Sequence, residues 1–203
     1  MKYTRQAFQI LPKINEPYIL DVGCGSGIPT IELAKLSKGT IVSVDTDHKE
    51  LEKLDKKILE EGLSNRVSTQ NCSILDVDFP DETFDIIWAE GSLHIVGFEK
   101  SLNQLRHLLR KGGFIVAHDG INHVSSALIS TSDLGYSLID HFILPDDEWK
   151  INYFEPLERL IKKWKKNPEN SEIVKKYQNQ VNMFRKKPEE NISGFYIFQK
   201  NNC

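Results

Sequence analysis

Tyr18-Ile19-Leu20-Asp21-Val22-Gly23-Cys24-Gly25-Ser26-Gly27 decides how this chain folds. A short apolar run carries one acid, three glycines follow at alternate positions, and residues 28–36 continue with helical apolar spacing. Strand, glycine turn and helix in that order form the nucleotide-gripping unit of open α/β sheets. Glycines let the main chain approach a ligand, and the helix start behind them offers unpaired N–H groups and partial positive charge. The spacing excludes one ligand class. A dinucleotide fingerprint, G-x-G-x-x-G, requires its third glycine at position 28, where Ile28 stands.

Outward from this motif, residues 3–14 predict a helix with Ala7, Phe8, Ile10, Leu11 and Ile14 as its stripe. Strand one covers 18–23, and its helix runs over 28–37 to a glycine stop at Lys38-Gly39. The β-branched run 40–45 predicts strand two; Asp47 caps a charged helix over 48–61, stopped by Gly62. Strand three is 66–71, strand four 83–89, a helix covers 98–109, and Lys111-Gly112-Gly113 turns into strand five at 114–118. No element is assigned over 119–134; strand six is 135–144 and strand seven 193–200. Strands alternating with helices imply a parallel sheet covered on both faces. Roughly fifty residues separate the last two strands, far more than a hairpin needs, and carry helical patterns over 146–166 and 169–187.

A chain of 203 residues suits one domain with a full core, here residues 1–203 with a helical insertion or lid over 145–190. A net charge of −3 gives no general attraction to nucleic acid or membranes. The three cysteines, Cys24, Cys72 and Cys203, are odd in number and lack metal-ligand spacing, so a reduced, cytoplasmic protein is expected. No apolar signal core stands at the N-terminus, and no apolar run approaches membrane-spanning length.

Residues 19–27 match h-h-D-h-G-C-G-x-G, with h apolar, at every position, and so resemble motif I of the class I S-adenosylmethionine (SAM)-dependent methyltransferases. Residues 76–85 resemble that family's approach to strand four, and Leu109-Arg110-Lys111-Gly112-Gly113 its L-x-P-G-G turn, with lysine where proline is usual. The match is specific over 17–119; beyond it, His141 to Pro145 with Trp149 and 153–158 resembles a small-molecule branch of the family. The resemblance implies a seven-stranded, mostly parallel Rossmann-like α/β sheet whose last strand is antiparallel. Helices lie on both faces, and the insertion falls between strands six and seven. It implies S-adenosyl-L-methionine as cofactor and S-adenosyl-L-homocysteine as product.

In that frame Gly23, Cys24, Gly25 and Gly27 border the methionine part, and Asp21 acts on its amino group through water or main chain. Asp45 closes strand two, where a carboxylate accepts both ribose hydroxyls; the competing role is helix capping, for which Asp47 is better placed. Thr46 borders the adenine. Asn71-Cys72-Ser73 follows strand three, where the family places an acid for the adenine amine; Asn71 either accepts that bond or is an ordinary turn asparagine. Ala89, Glu90 and Gly91 lie under the transferring methyl.

Methyl transfer from a sulfonium is a direct displacement, so alignment supplies most of the catalysis and no covalent nucleophile is needed. Glu90 and His94, beside the expected methyl, are the candidate catalytic residues: Glu90 either binds substrate or accepts a proton, or is a helix cap or solvent-facing acid, and His94 either joins it or is a packed histidine. His118-Asp119 with His123 offers ligand types without a third shell, so no metal is assigned. Between residues 156 and 187, ten lysines or arginines face three glutamates, a local +7 that leaves about −10 elsewhere. A solvated helix face accounts for that charge, with Leu157, Leu160, Ile161, Trp164, Ile173, Val174, Tyr177, Val181 and Phe184 as the packing stripe. The expected partner is a small-molecule methyl acceptor; Trp149, Tyr153 and Phe154 either offer it an aromatic lining or pack the lid. Transfer to tRNA or rRNA through the basic helices, or SAM binding without catalysis, are the alternatives. Oligomeric state is left open.

Overall fold

The computed structural model describes residues 1–145, 147–187 and 191–202. They divide into two compact units, one of Met1–Phe142 with Phe195–Cys203 and one of Ile143–Gly194. Cys203 and the insertion's residues 146 and 188–190 lie outside the described residues.

The first unit runs α1 (Lys2–Ile10), β1 (Tyr18–Val22), α2 (Ile28–Leu36), β2 (Thr40–Asp45), α3 (His48–Glu60), β3 (Val67–Asn71), β4 (Phe84–Glu90), α4 (Phe98–Leu105), β5 (Leu109–Gly120), α5 (Ile121–Ser130) and β6 (Tyr136–Ile143), and returns through β7 (Ser193–Lys200). The seven strands form one sheet in the order β3-β2-β1-β4-β5-β7-β6. Strands β1 to β5 pair in parallel, while β7 runs antiparallel between β5 and β6. Leu144 N–H donates to Ser193 O and Asn201 N–H to Gly135 O, the end-to-start pairing of an antiparallel hairpin. The chain winds outward from β1 to β3, then returns to β4 on the other side of β1. That reversal opens a crevice at the C-terminal ends of β1 and β4, where ligands bind in such sheets.

Burial explains the sheet. Ile19, Leu20 and Val22 of β1 and Ile86, Ile87, Trp88 and Ala89 of β4 are all fully enclosed, as near-continuous apolar strands covered on two faces must be. β6 is exposed over most of its length, as befits the edge. The first helix stops four residues earlier than the expected 14, because Leu11 precedes Pro12 and takes an extended conformation, φ −64° and ψ 145°. Lys111-Gly112-Gly113 does not precede strand five but bulges within it: Phe84 pairs with Leu109 and Ile86 with Phe114. Helix α5 occupies the stretch left unassigned, where the buried Val124 and Ala127 are too few to reveal a stripe.

The second unit begins with a π-helical turn, Lys150–Phe154, leading into α6 (Glu155–Trp164) and, after a 3₁₀ turn at Pro168–Asn170, α7 (Ser171–Lys186). Phe154, Leu157, Ile161 and Val181 form its core, with Trp149, Trp164, Val174, Tyr177 and Phe184 packed against them. Phe154 and Phe184 stack at 3.8 Å between centroids. Leu160 and Ile173, expected in this stripe, instead face solvent at 42% and 41% exposure.

Candidate functional site

The glycine loop joins β1 to α2 with Gly23, Gly25 and Gly27 all at positive φ. Their roles divide by what surrounds them. A Cβ on Gly23 would come within 2.3 Å of Ser92 Cβ, and one on Gly27 within 2.1 Å of Leu54 Cδ1, whereas one on Gly25 would meet nothing within 4 Å. Gly23 and Gly27 let β4's extension and α3 press on the loop; Gly25 leaves the space beside its Cα open. Ser92, which sequence reasoning missed, is buried and donates its hydroxyl to Val22 O at 2.7 Å, tying the end of β4 to the end of β1. No periodicity marks a lone serine after a glycine.

Asp45 is drawn into the loop at the end of β2. Its Oδ2 accepts Gly25 N–H at 2.7 Å and its Oδ1 accepts Asp47 N–H at 2.8 Å. Capping of α3 falls to Asp47, which accepts Lys49 and Glu50 N–H. Asn71 donates its amide to Asp45 O at 2.9 Å, which directs its own Oδ1 away as an acceptor. Cys72 donates its main-chain N–H to the same carbonyl, and Ser73 Oγ accepts Leu75 N–H to cap the 3₁₀ turn Ile74–Asp76. Thr46 is exposed. Cys24 is buried, and that burial with Asp21 and Asp45 nearby pushes its thiol up and keeps it neutral.

Asp21 is fully buried. Its Oδ2 accepts the Thr30 hydroxyl at 2.5 Å, and Ser43 Oγ donates to Thr30 in turn, so β1, α2 and β2 share one polar knot. Burial pushes its carboxyl up to about 7 against the relief of the Thr30 bond, and Glu90 and Asp45 add repulsion. Glu90 closes β4 beneath α1. Its Oε1 accepts both Thr4 Oγ1 at 2.9 Å and Trp88 Nε1 at 2.8 Å, while burial raises its pKa against those bonds. Ala89 is fully buried beside it.

The histidine cluster differs from the one read in sequence. His118 and Asp119 are neighbours on β5 and face opposite sides. His118 stacks on Phe195 at 4.8 Å, and burial holds its imidazole down at about 4, so it is neutral at pH 7. His94 takes its place. Asp119, 3% exposed, accepts His94 N–H at 3.2 Å and Gly120 N–H at 2.8 Å. His94 Nδ1 lies 3.0 Å and His123 Nδ1 2.8 Å from its Oδ1, and the two rings stack at 4.5 Å. In the second unit, Trp149 stands edge-on to Tyr153 at 5.8 Å and donates to Ser193 Oγ, while Phe154 is committed to that unit's core.

Residues 19–113 match the model of a family described as a methyltransferase domain. Methyltransferase GfsG of Streptomyces halstedii is 29% identical over 119 residues, 58% of this chain and 43% of that one. The 27-O-demethylrifamycin SV methyltransferase of Amycolatopsis mediterranei is 28% identical over 102 residues, 50% and 38% of the two chains. The chain thus spans less than half the length of these curated relatives. Among solved structures, the [4+2]-cyclase SpnF superposes with a TM-score of 0.82 at 18% identity, covering 98% of this chain and 81% of that one. A SAM-dependent methyltransferase from Geobacter sulfurreducens in complex with S-adenosyl-L-homocysteine gives 0.77 at 16% identity, covering 98% and 89%. At these identities the structural likeness establishes the fold.

Proposed function

We propose that this chain, whose residues 19–113 match the methyltransferase-domain model, is a class I SAM-dependent methyltransferase that transfers a methyl group from SAM to a small-molecule acceptor. One observation carries the reading: the open space beside Gly25 and the carboxylate of Asp45, tied to Gly25 N–H, meet at the C-terminal ends of β1 and β2, beside the sheet's reversal point. SAM has two cationic centres, a sulfonium and an ammonium. Asp21, Asp45 and Glu90 lie close enough that the latter two repel Asp21's charge, and such a grouping suits a cationic ligand.

In this reading Gly23 to Gly27 take the methionine part, and Asp45, whose oxygens each keep a further lone pair, takes the ribose diol. Asn71 and Ser73 with Thr46 and Cys72 border the adenine. Asp21 acts indirectly, by fixing Thr30 in the first turn of α2. Glu90 orients the acceptor. For a hydroxyl acceptor, His94 takes the proton at Nε2 when Nδ1 holds its own proton toward Asp119. The relative from Amycolatopsis is named for a rifamycin and supports an acceptor of that size class, a small molecule. Free Cys24 and Cys72 suit a reducing compartment such as the cytoplasm. Among the described residues no helix is long and apolar enough to cross a membrane.

Because a chain named for a cyclisation shares this fold, the reaction needs its own test. Calorimetric titration with SAM, with S-adenosylhomocysteine and with NAD is expected to give binding in the micromolar range for the first two and none for NAD. Methyl-labelled SAM presented with metabolite and RNA pools should then mark metabolites. Silence toward both SAM and S-adenosylhomocysteine would sink the cofactor assignment, and label on RNA would return the reading to nucleic acid.

A further inference from the structure

The methyl transfer proposed above uses His94 with Asp119 and leaves the second imidazole on the same buried carboxylate, His123, without a part. His94 Nδ1 and His123 Nδ1 stand 3.0 and 2.8 Å from the same atom, Asp119 Oδ1, and one ligand atom from each residue fits within 4.8 Å. Ligands bound at about 2.0–2.2 Å and about 90–109° apart sit about 2.8–3.6 Å from one another, so two of the three edges already match a metal's coordination shell. We infer that His94, Asp119 and His123 form a binding site for a divalent transition-metal ion.

The supporting structure is that of a held ligand set. Asp119 is fixed by N–H groups of His94 and Gly120, one on each carboxylate oxygen, so it stays in place when its partners move. Its two histidines come from different elements, His94 from the turn after β4 and His123 from the first turn of α5, and stack at 4.5 Å with 18° between planes. Stacking limits ring rotation and keeps both Nδ1 atoms aimed at the carboxylate. The side chains of His94 and His123 are 36% and 49% exposed, which gives an ion a path in and leaves positions for water or an oxygen ligand. Two imidazoles with one carboxylate favour zinc, cobalt, nickel or copper over magnesium or calcium, which prefer all-oxygen shells.

Occupancy has a chemical consequence at His94. An imidazole bound through Nδ1 keeps its remaining proton on Nε2, so the ion and proton acceptance at Nε2 exclude one another. The site itself rests on ligand geometry and stands whether or not this chain transfers methyl groups.

Cobalt(II) titration of the metal-stripped protein, followed by visible d–d absorption and by calorimetry, tests the site. One equivalent is expected to bind, with zinc displacing it and magnesium failing to do so. His123→Gln and His94→Gln should each weaken binding about tenfold or more, as loss of a ligand or of its support does. Asp119→Asn, which keeps the shape of the buried group, should do the same, while His48→Gln, exposed on α3 and outside the cluster, should leave affinity unchanged. Absence of one-equivalent binding, or equal affinity in all four variants, would overturn the site and leave two hydrogen-bonded imidazoles. Circular dichroism of each variant separates ligand loss from unfolding.

Discussion

Gly25 and Asp45 hold the argument at the scale of single residues, because each has a surrounding that its neighbours lack. Gly23 and Gly27 are hemmed in by Ser92 and Leu54, so any side chain there distorts the loop itself. Gly25 is open, and Gly25→Arg has room in the free protein at the cost of a positive-φ residue, about 1 kcal/mol or a little more. Its side chain would fill the ligand's space. The expected outcome is a folded protein by thermal melt with no SAM binding by calorimetry; retained affinity would remove the loop from the pocket. If Asp45 accepts the ribose hydroxyls as proposed, Asp45→Ala should weaken SAM by about 1–3 kcal/mol. Glu90→Gln keeps the shape that Thr4 and Trp88 hold, so SAM affinity should change little while turnover on an identified acceptor falls.

At the scale of elements, α3 separates the two acids that the sequence sets two positions apart. Asp47 accepts two N–H groups of the first turn, and Asp47→Ala should lower stability by about 1 kcal/mol with SAM affinity intact. Asp45→Ala also frees the Gly25 and Asp47 N–H groups and should cost comparable stability, so lost SAM affinity is what separates it from Asp47→Ala; unchanged affinity in both would return Asp45 to a structural role. Most of the architecture is legible along the chain for the same physical reason: parallel strands buried on both faces must be apolar, so β1, β2 and β4 stand out against their glycine and aspartate borders. What sequence reasoning missed lacks such a border. α5 shows only Val124 and Ala127 to the core, and Ser92 reaches Val22 across β1 and β4, a pairing set by strand order. The histidine cluster was half read. Adjacency along β5 groups His118 with Asp119, but strand alternation turns His118 to Phe195 and leaves the place to His94, 25 residues before Asp119.

For the whole molecule, the sheet's reversal gathers Asp21, Asp45 and Glu90 at one end of the first unit, and burial there works against stability in the absence of a cation. Asp21 carries the clearest cost. Its carboxyl ionises near 3.8 in the unfolded chain and at about 7 in the folded one. Below the lower value both states are protonated and the contribution is fully present. Between the two values the folded chain keeps a proton that the unfolded chain releases, so this stability is lost as pH rises and is gone above the folded pKa. At about 1.36 kcal/mol per pH unit the window is worth about 4 kcal/mol. Asp21→Asn retains an oxygen for the Thr30 hydroxyl and cannot ionise. Relative to the natural chain, it should therefore gain stability steadily between pH 4 and pH 7 and stay level above, measured by denaturant unfolding in the absence of SAM. A difference between the two proteins that does not vary with pH would mean that Asp21 is ionised in the fold, and that a cation or buried water already offsets its charge. If the gain does appear, SAM added to the natural chain at pH 8 should stabilise it most, because the cofactor's positive charge reaches the acids when they are ionised.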